Sequence, residues 1–106
     1  MGDDASSDVE RERLDLLLRG FQVSRLLRLV ADLSIADRVD DGGTRNVVEL
    51  AADCGVDATQ LTRVLRALAS FGVFGLDKQG EVVHSPMSRF LRTDVEGSLH
   101  HGARFW

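Results

Sequence analysis

The chain has one cysteine, one proline, one tryptophan and no tyrosine in 106 residues. A lone Cys54 excludes an intrachain disulfide framework and fits a reducing compartment, so a cytoplasmic protein is expected. No apolar run approaches the roughly 18 residues needed to cross a bilayer, and the acidic start is unlike a secretory signal, so no membrane role is expected. A surplus of positive charge is missing too. The net charge is −4, and the first twelve residues account for it with five acids and one base, leaving twelve of each in the remainder. Such a body lacks the phosphate-neutralising field that supplies most non-specific nucleic-acid affinity.

Enzyme motifs are equally scarce. Gly42-Gly43 lacks the G-x-G-x-x-G spacing of a dinucleotide loop, and no P-loop pattern occurs. His100 and His101 are adjacent, so on a helix they point about 100° apart and are poorly placed to share a metal. Cys54 precedes Gly55 on the expected buried side of a short helix, where a packing role is favoured over a nucleophile. Asp40, Asp41 and Asp77 fall in turns, where Asp bonds to local backbone. His84 reads as a half-exposed strand residue. No catalytic, cofactor-binding or metal-ligating residue is assigned in this chain.

What is present is helical periodicity. Leu14, Leu17, Leu18, Phe21, Leu26, Leu27, Val30 and Leu33 recur at spacings of three and four, with Gly20 expected to bend or split the run. So broad an apolar face exceeds what a domain of this size can hide, which points to burial against another chain; ordinary core packing is the alternative. Residues 1–11 read as an acidic disordered tail and residues 12–106 as one domain.

Further on, Ser34–Val39 predicts a short extra helix and Asp40–Gly43 a loop. A helix is expected from about Val48 to Cys54, with Asn46 or Thr44 near its start and Gly55 as a left-handed terminator. Asp57 then caps a second helix, with Gln60 three residues on. Leu61, Val64, Leu65, Leu68 and Phe71 fall on its inner face, and Thr59, Gln60, Thr62, Arg63, Arg66 and Ser70 on the outer one. Val73–Leu76 and Glu81–His84 flank the turn Asp77–Gly80 as a β-hairpin. Ser85-Pro86 opens a short helix, and a last helix from about Val95 stops abruptly at Phe105-Trp106.

These elements describe a mainly α fold: a winged helix-turn-helix with a small β-hairpin wing behind long amino-terminal helices. Such a fold reads DNA or pairs subunits. For DNA, Gln60, Arg63 and Arg66 would face the major groove. The wing Asp77–Glu81 opposes this, with two acids and one base where a phosphate-binding tip would be basic.

The motif order favours subunit pairing, with a DNA-binding regulator as the alternative. Glu49-Leu50-Ala51, Cys54-Gly55, Arg63–Leu68 and Gly72-Val73-Phe74 are followed by Ser85-Pro86, Phe90–Asp94 and Glu96–Leu99. In that order the chain, over roughly residues 12–106, resembles the amino-terminal dimerisation domain of S-adenosylmethionine-dependent O-methyltransferases of plant phenylpropanoid and bacterial polyketide-tailoring pathways. The resemblance implies a homodimerisation module, not catalytic by itself, for an enzyme methylating a small-molecule hydroxyl in natural-product biosynthesis. It implies an intertwined homodimer through Leu14, Leu17, Leu18, Phe21, Leu26, Leu27 and Val30, and an acceptor pocket near Phe105 and Trp106. It also implies S-adenosylmethionine for a longer parent protein. The family's Gly-rich cofactor domain and catalytic histidine are absent from this sequence.

Overall fold

The computed structural model describes the backbone of residues 3–105 and the side chains of residues 7–20 and 22–104. The elements in order are α1 (Asp3–Asp32), α2 (Ile35–Arg38), β1 (Thr44–Arg45), α3 (Val47–Cys54), α4 (Ala58–Ala69), β2 (Gly75–Leu76), β3 (Val82–Val83), a 3-10 turn (Ser88–Leu91) and α5 (His100–Phe105). This is the mainly helical winged fold the sequence predicts. The wing hairpin pairs Gly75 with Val83 and Leu76 with Val82. Its outer neighbour β1 pairs Thr44 with Val83 and Arg45 with Val82, which gives an antiparallel sheet of order β1-β3-β2. Strand β1 was not expected, because two residues carry no alternation to read.

The helix-turn-helix is held by local chemistry. Asn46 Oδ1 accepts from the Val48 and Glu49 amides at 2.9 and 3.2 Å, which satisfies two donors that the start of α3 leaves open. Gly55 ends α3 with φ +70°, and the Val56 amide reaches back to the Ala51 carbonyl at 3.0 Å. Asp57 Oδ2 accepts from the Gln60 amide at 2.9 Å and starts α4. On α4, Leu61, Leu65 and Leu68 are buried while Arg63 and Arg66 face outward. Phe71 differs from expectation: α4 ends at Ala69, so Phe71 lies in the following turn, 40% exposed.

Ile35, Leu50, Leu65, Leu68, Val30, Val39 and Val82 are all but completely buried, and they form the core where the end of α1 meets α2, α3, α4 and the sheet. Each such side chain contributes roughly 2 kcal/mol through removal from water. Phe74, also buried, takes a left-handed φ of +63°, which a bulky residue adopts only under constraint. Its amide donates to Ser85 Oγ at 3.2 Å, and its ring lies 5.4 Å from the His84 ring.

Three other expectations are corrected. Helix α1 continues unbroken through Gly20, so the run is not split there, since one glycine among good helix formers costs about 1 kcal/mol without forcing a break. The segment after Pro86 is a single 3-10 turn, although Ser85 Oγ caps it as expected, accepting from the Ser88 amide at 3.0 Å. Helix α5 starts at His100 instead of about Val95, because Gly97 turns the chain at φ +75° and the Leu99 amide bonds the Phe90 carbonyl at 2.7 Å. Helix α1 begins at Asp3, and residues 7–11 are exposed.

Candidate subunit interface and apolar groove

Helix α1 is about 45 Å long at 1.5 Å per residue, while the described body measures 55 × 30 × 24 Å, so its first half reaches past the core. On that half Leu14, Leu17 and Leu18 are 58%, 73% and 60% exposed. Leu16 and Leu29, which the sequence reading passed over, are exposed as well. Burying one such side chain fully is worth roughly 2 kcal/mol, so the row can drive association. Farther along, Leu26 and Leu27 are half-buried against the protomer's own core. Val30 departs from its expected interface role: at 1% exposure it belongs to that core, on the side of α1 facing α2 and α4. The Phe21 side chain lies outside the described residues.

Beside the second half of α1 runs an apolar groove of about 340 Å³, lined by Leu27, Met87, Phe90, Leu99 and Ala103 among others. Its walls come from α1, Val73 in the turn after α4, the 3-10 turn and α5. Met87, Phe90 and Leu99 leave about half or more of their surface open to it or to solvent. Because these residues are spread over four segments, no sequence motif joins them; only Leu27 stood out beforehand, as part of the leucine row. Helix α5 is pinned along α1 by the Arg104 Nε bond to Asp32 Oδ1 at 3.0 Å. Phe105 sits at the end of α5, but its side chain and the whole of Trp106 lie outside the described residues, so the expected acceptor-pocket role has no geometry here.

A polar joint ties the 3-10 turn beside the groove to α2 and Val39. His84 Nε2 donates to the carbonyl oxygens of Ala36 and Val39 at 2.9 and 3.0 Å, while Nδ1 meets Ser88 Oγ at 2.9 Å. Two carbonyls can only accept, so Nε2 carries the ring hydrogen. Arg92 adds donors to the same oxygens, at 2.7 Å to Val39 and 3.3 Å to Ala36. Its Nε and Nη2 also pair with both Asp94 carboxylate oxygens at 2.8 Å. That bidentate bond raises the Arg92 pKa and lowers that of Asp94. Asp37 accepts from the Thr93 amide and hydroxyl, both at 2.9 Å. The expected half-exposed strand histidine is thus a bracket between α2 and the 3-10 turn.

The outer face of α4 presents Gln60, Arg63 and Arg66 to solvent, as expected. At the wing, Asp77 Oδ1 accepts from the Gln79 and Glu81 amides at 2.9 Å, and Glu81 Oε2 accepts from the Thr44 hydroxyl at 2.8 Å. The acids therefore build the turn and leave Lys78 as the single base of its tip. Among the described residues, no group of three or more His, Cys, Asp or Glu is placed to hold a metal, and no helix is long and apolar enough to cross a membrane.

Known proteins bear on which surface matters. A family model described as the O-methyltransferase dimerisation domain matches residues 16–94. The phenazine O-methyltransferase PhzM of Lysobacter antibioticus is 37% identical over 83 residues, spanning 78% of this chain and 24% of that protein. The mitomycin 7-O-methyltransferase MmcR superposes with a TM-score of 0.86 at 26% identity, over 96% of this chain and 30% of that one. NcsB1, from neocarzinostatin biosynthesis and solved with S-adenosylmethionine and 2-hydroxy-5-methyl naphthoic acid, superposes with a TM-score of 0.67 at 31% identity, over 73% of this chain and 23% of that one. The chain spans about a quarter of the length of the curated relatives it matches. Nothing among these similarities supports the DNA-reading alternative for Gln60, Arg63 and Arg66. The motif order, the winged fold and these matches converge: this chain belongs to the O-methyltransferase dimerisation-domain family.

Proposed function

We propose that this chain pairs two subunits of an S-adenosylmethionine-dependent O-methyltransferase that acts on a small aromatic or polyketide hydroxyl in natural-product biosynthesis, in the cytoplasm. The observation carrying the proposal is the exposed leucine row on the projecting half of α1. The relatives' names support the chemistry, in particular an NcsB1 structure holding both the methyl donor and a hydroxylated naphthoic acid. When bound, the donor supplies an electrophilic methyl group. This chain does not fit it: among the described residues no strand feeds a Gly-rich turn into a helix, and Gly42-Gly43 instead precede the two-residue β1. Donor binding and transfer therefore belong to a longer parent, with Phe105 and Trp106 leading toward its acceptor pocket.

The test is the mass of the 106-residue chain in sedimentation equilibrium. A homodimer is expected, and Leu17→Asp is expected to give a folded monomer, because a carboxylate in an apolar contact remains unpaired. A monomeric parent chain, or a Leu17→Asp dimer of unchanged affinity, would sink the assignment.

A further inference from the structure

The two halves of α1 differ in what holds them. Among the described residues, packing of α1 on the core begins at Val23 and continues through Leu26, Leu27 and Val30. Every side chain from residue 7 to residue 20 is exposed instead. That stretch gains nothing from the body, so its helix rests on local terms alone. Those terms are weak. Ser7, Asp8 and Val9 are middling helix formers, and Asp8, Glu12 and Asp15 set like charges on successive turns at spacings of four and three. Arg13 meets Glu10 at 3.6 Å and Arg19 meets Asp15 at 2.9 Å, but all four groups are more than half exposed, where such pairs add little. Gly20 stands where the exposed stretch meets the packed one. A Cβ added there would meet nothing within 4 Å, so no contact within the protomer requires a glycine. Its effect is to weaken propagation of the helix from the anchored half into the projecting one. An unsupported helix of about 14 residues is marginal in water even when rich in alanine.

Resting on the self-association reading above, we propose that residues 7–20 are a folding arm, helical in the pair and unfolded in the free protomer, while the body from Val23 onward is folded in both. Burial of Leu14, Leu17 and Leu18 against the partner supplies what the arm lacks on its own. Ordering the arm and pairing are then one event, and the apparent affinity is lowered by the cost of ordering. Rigid docking would change mass alone. This association changes mass and helix content together.

Dilution of the 106-residue chain through its dimer dissociation constant, set by sedimentation, is the test. Far-UV circular dichroism is expected to lose about a quarter of the helical signal in step with the dimer fraction, since residues 7–20 make up about that share of the helices. Trypsin is expected to cut after Arg11, Arg13 and Arg19 in the dilute chain and to spare Arg63 and Arg66 on α4. A dimer that dissociates with its ellipticity intact and its arm uncut would overturn the proposal and leave self-association standing. Loss of the whole signal, with α4 cut as well, would overturn it too, because body and arm would then fold as one unit. A chain that stays monomeric and fully helical at every concentration would remove both readings. Gly20→Ala gives a second measure. Alanine extends a helix about fivefold better than glycine, so the dilute variant is expected to regain part of the lost signal and to pair about tenfold more tightly. A dilute Gly20→Ala chain no more helical than its parent would overturn the arm.

Discussion

His84 Nε2 lies 3.0 Å from the carbonyl oxygen of Val39, 45 residues earlier in the chain, and shares its hydrogen with the Ala36 carbonyl. The bond joins segments distant in sequence, and Arg92 donates to the same two carbonyls beside it. His84→Ala is expected to cost about 2 kcal/mol, the usual penalty for leaving buried acceptors short of a donor. Urea denaturation checks this. His84→Phe keeps a ring beside Phe74 but removes the Nε2–H donor, and is expected to lose most of the same stability. Full stability in the Phe variant would show that ring packing, not the hydrogen bonds, holds the joint.

Acid should weaken the same region. Asp94 is held below its ordinary carboxylate pKa, chiefly by its bidentate bond to Arg92. A group whose folded pKa is depressed contributes stability that is present above its unfolded value and lost as pH falls through the folded one. Stability is therefore expected to drop on acidification below about pH 4, and to drop less steeply in Asp94→Asn. Thermal melts across that window, run on both proteins, give the comparison. Parallel pH profiles would remove Asp94 as a contributor.

The helix-turn-helix offers three small, separable losses. Asn46→Ala and Asp57→Ala each remove a side-chain cap and are expected to cost about 1 kcal/mol. Gly55→Ala, at φ +70° with open space around the added methyl, should cost a similar amount through backbone strain alone. Chemical denaturation of the three variants should show shifted midpoints with unchanged slopes.

Core and surface leucines should separate by concentration. Leu65→Ala opens a cavity at a fully buried site and is expected to cost about 3 kcal/mol at any protein concentration. Leu17→Ala removes only exposed surface of the protomer, so its penalty should shrink as the chain is diluted and the dimer dissociates. Equal penalties for Leu17→Ala at all concentrations would remove Leu17 from the contact.

The sequence disclosed what local chemistry decides. The caps at Asn46, Asp57 and Gly55, the hairpin around Asp77–Gly80 and the inner face Leu61-Leu65-Leu68 all follow from side chains acting within four residues. Features set by distant partners stayed hidden. Strand β1 exists only because β3 lies beside it, and His84 is a bracket only because α2 folds back onto it. Val30 and Leu17 look alike by periodicity, yet one is sealed in the protomer and the other open. The difference is where the body happens to end along α1, and no heptad records that. The groove, assembled from four separate segments, had no local signature.

The bracket at Ala36 and Val39 has a bearing on synthesis. Both carbonyls take their donors from residues 84 and 92, so α2, which follows the long helix, cannot be bracketed until residue 92 has left the ribosome. Until then the leucine row on the preceding helix is displayed beside an unfinished body, open to any apolar surface nearby. Polysomes carrying neighbouring nascent copies are thus where premature sticking, or productive co-translational pairing, would begin.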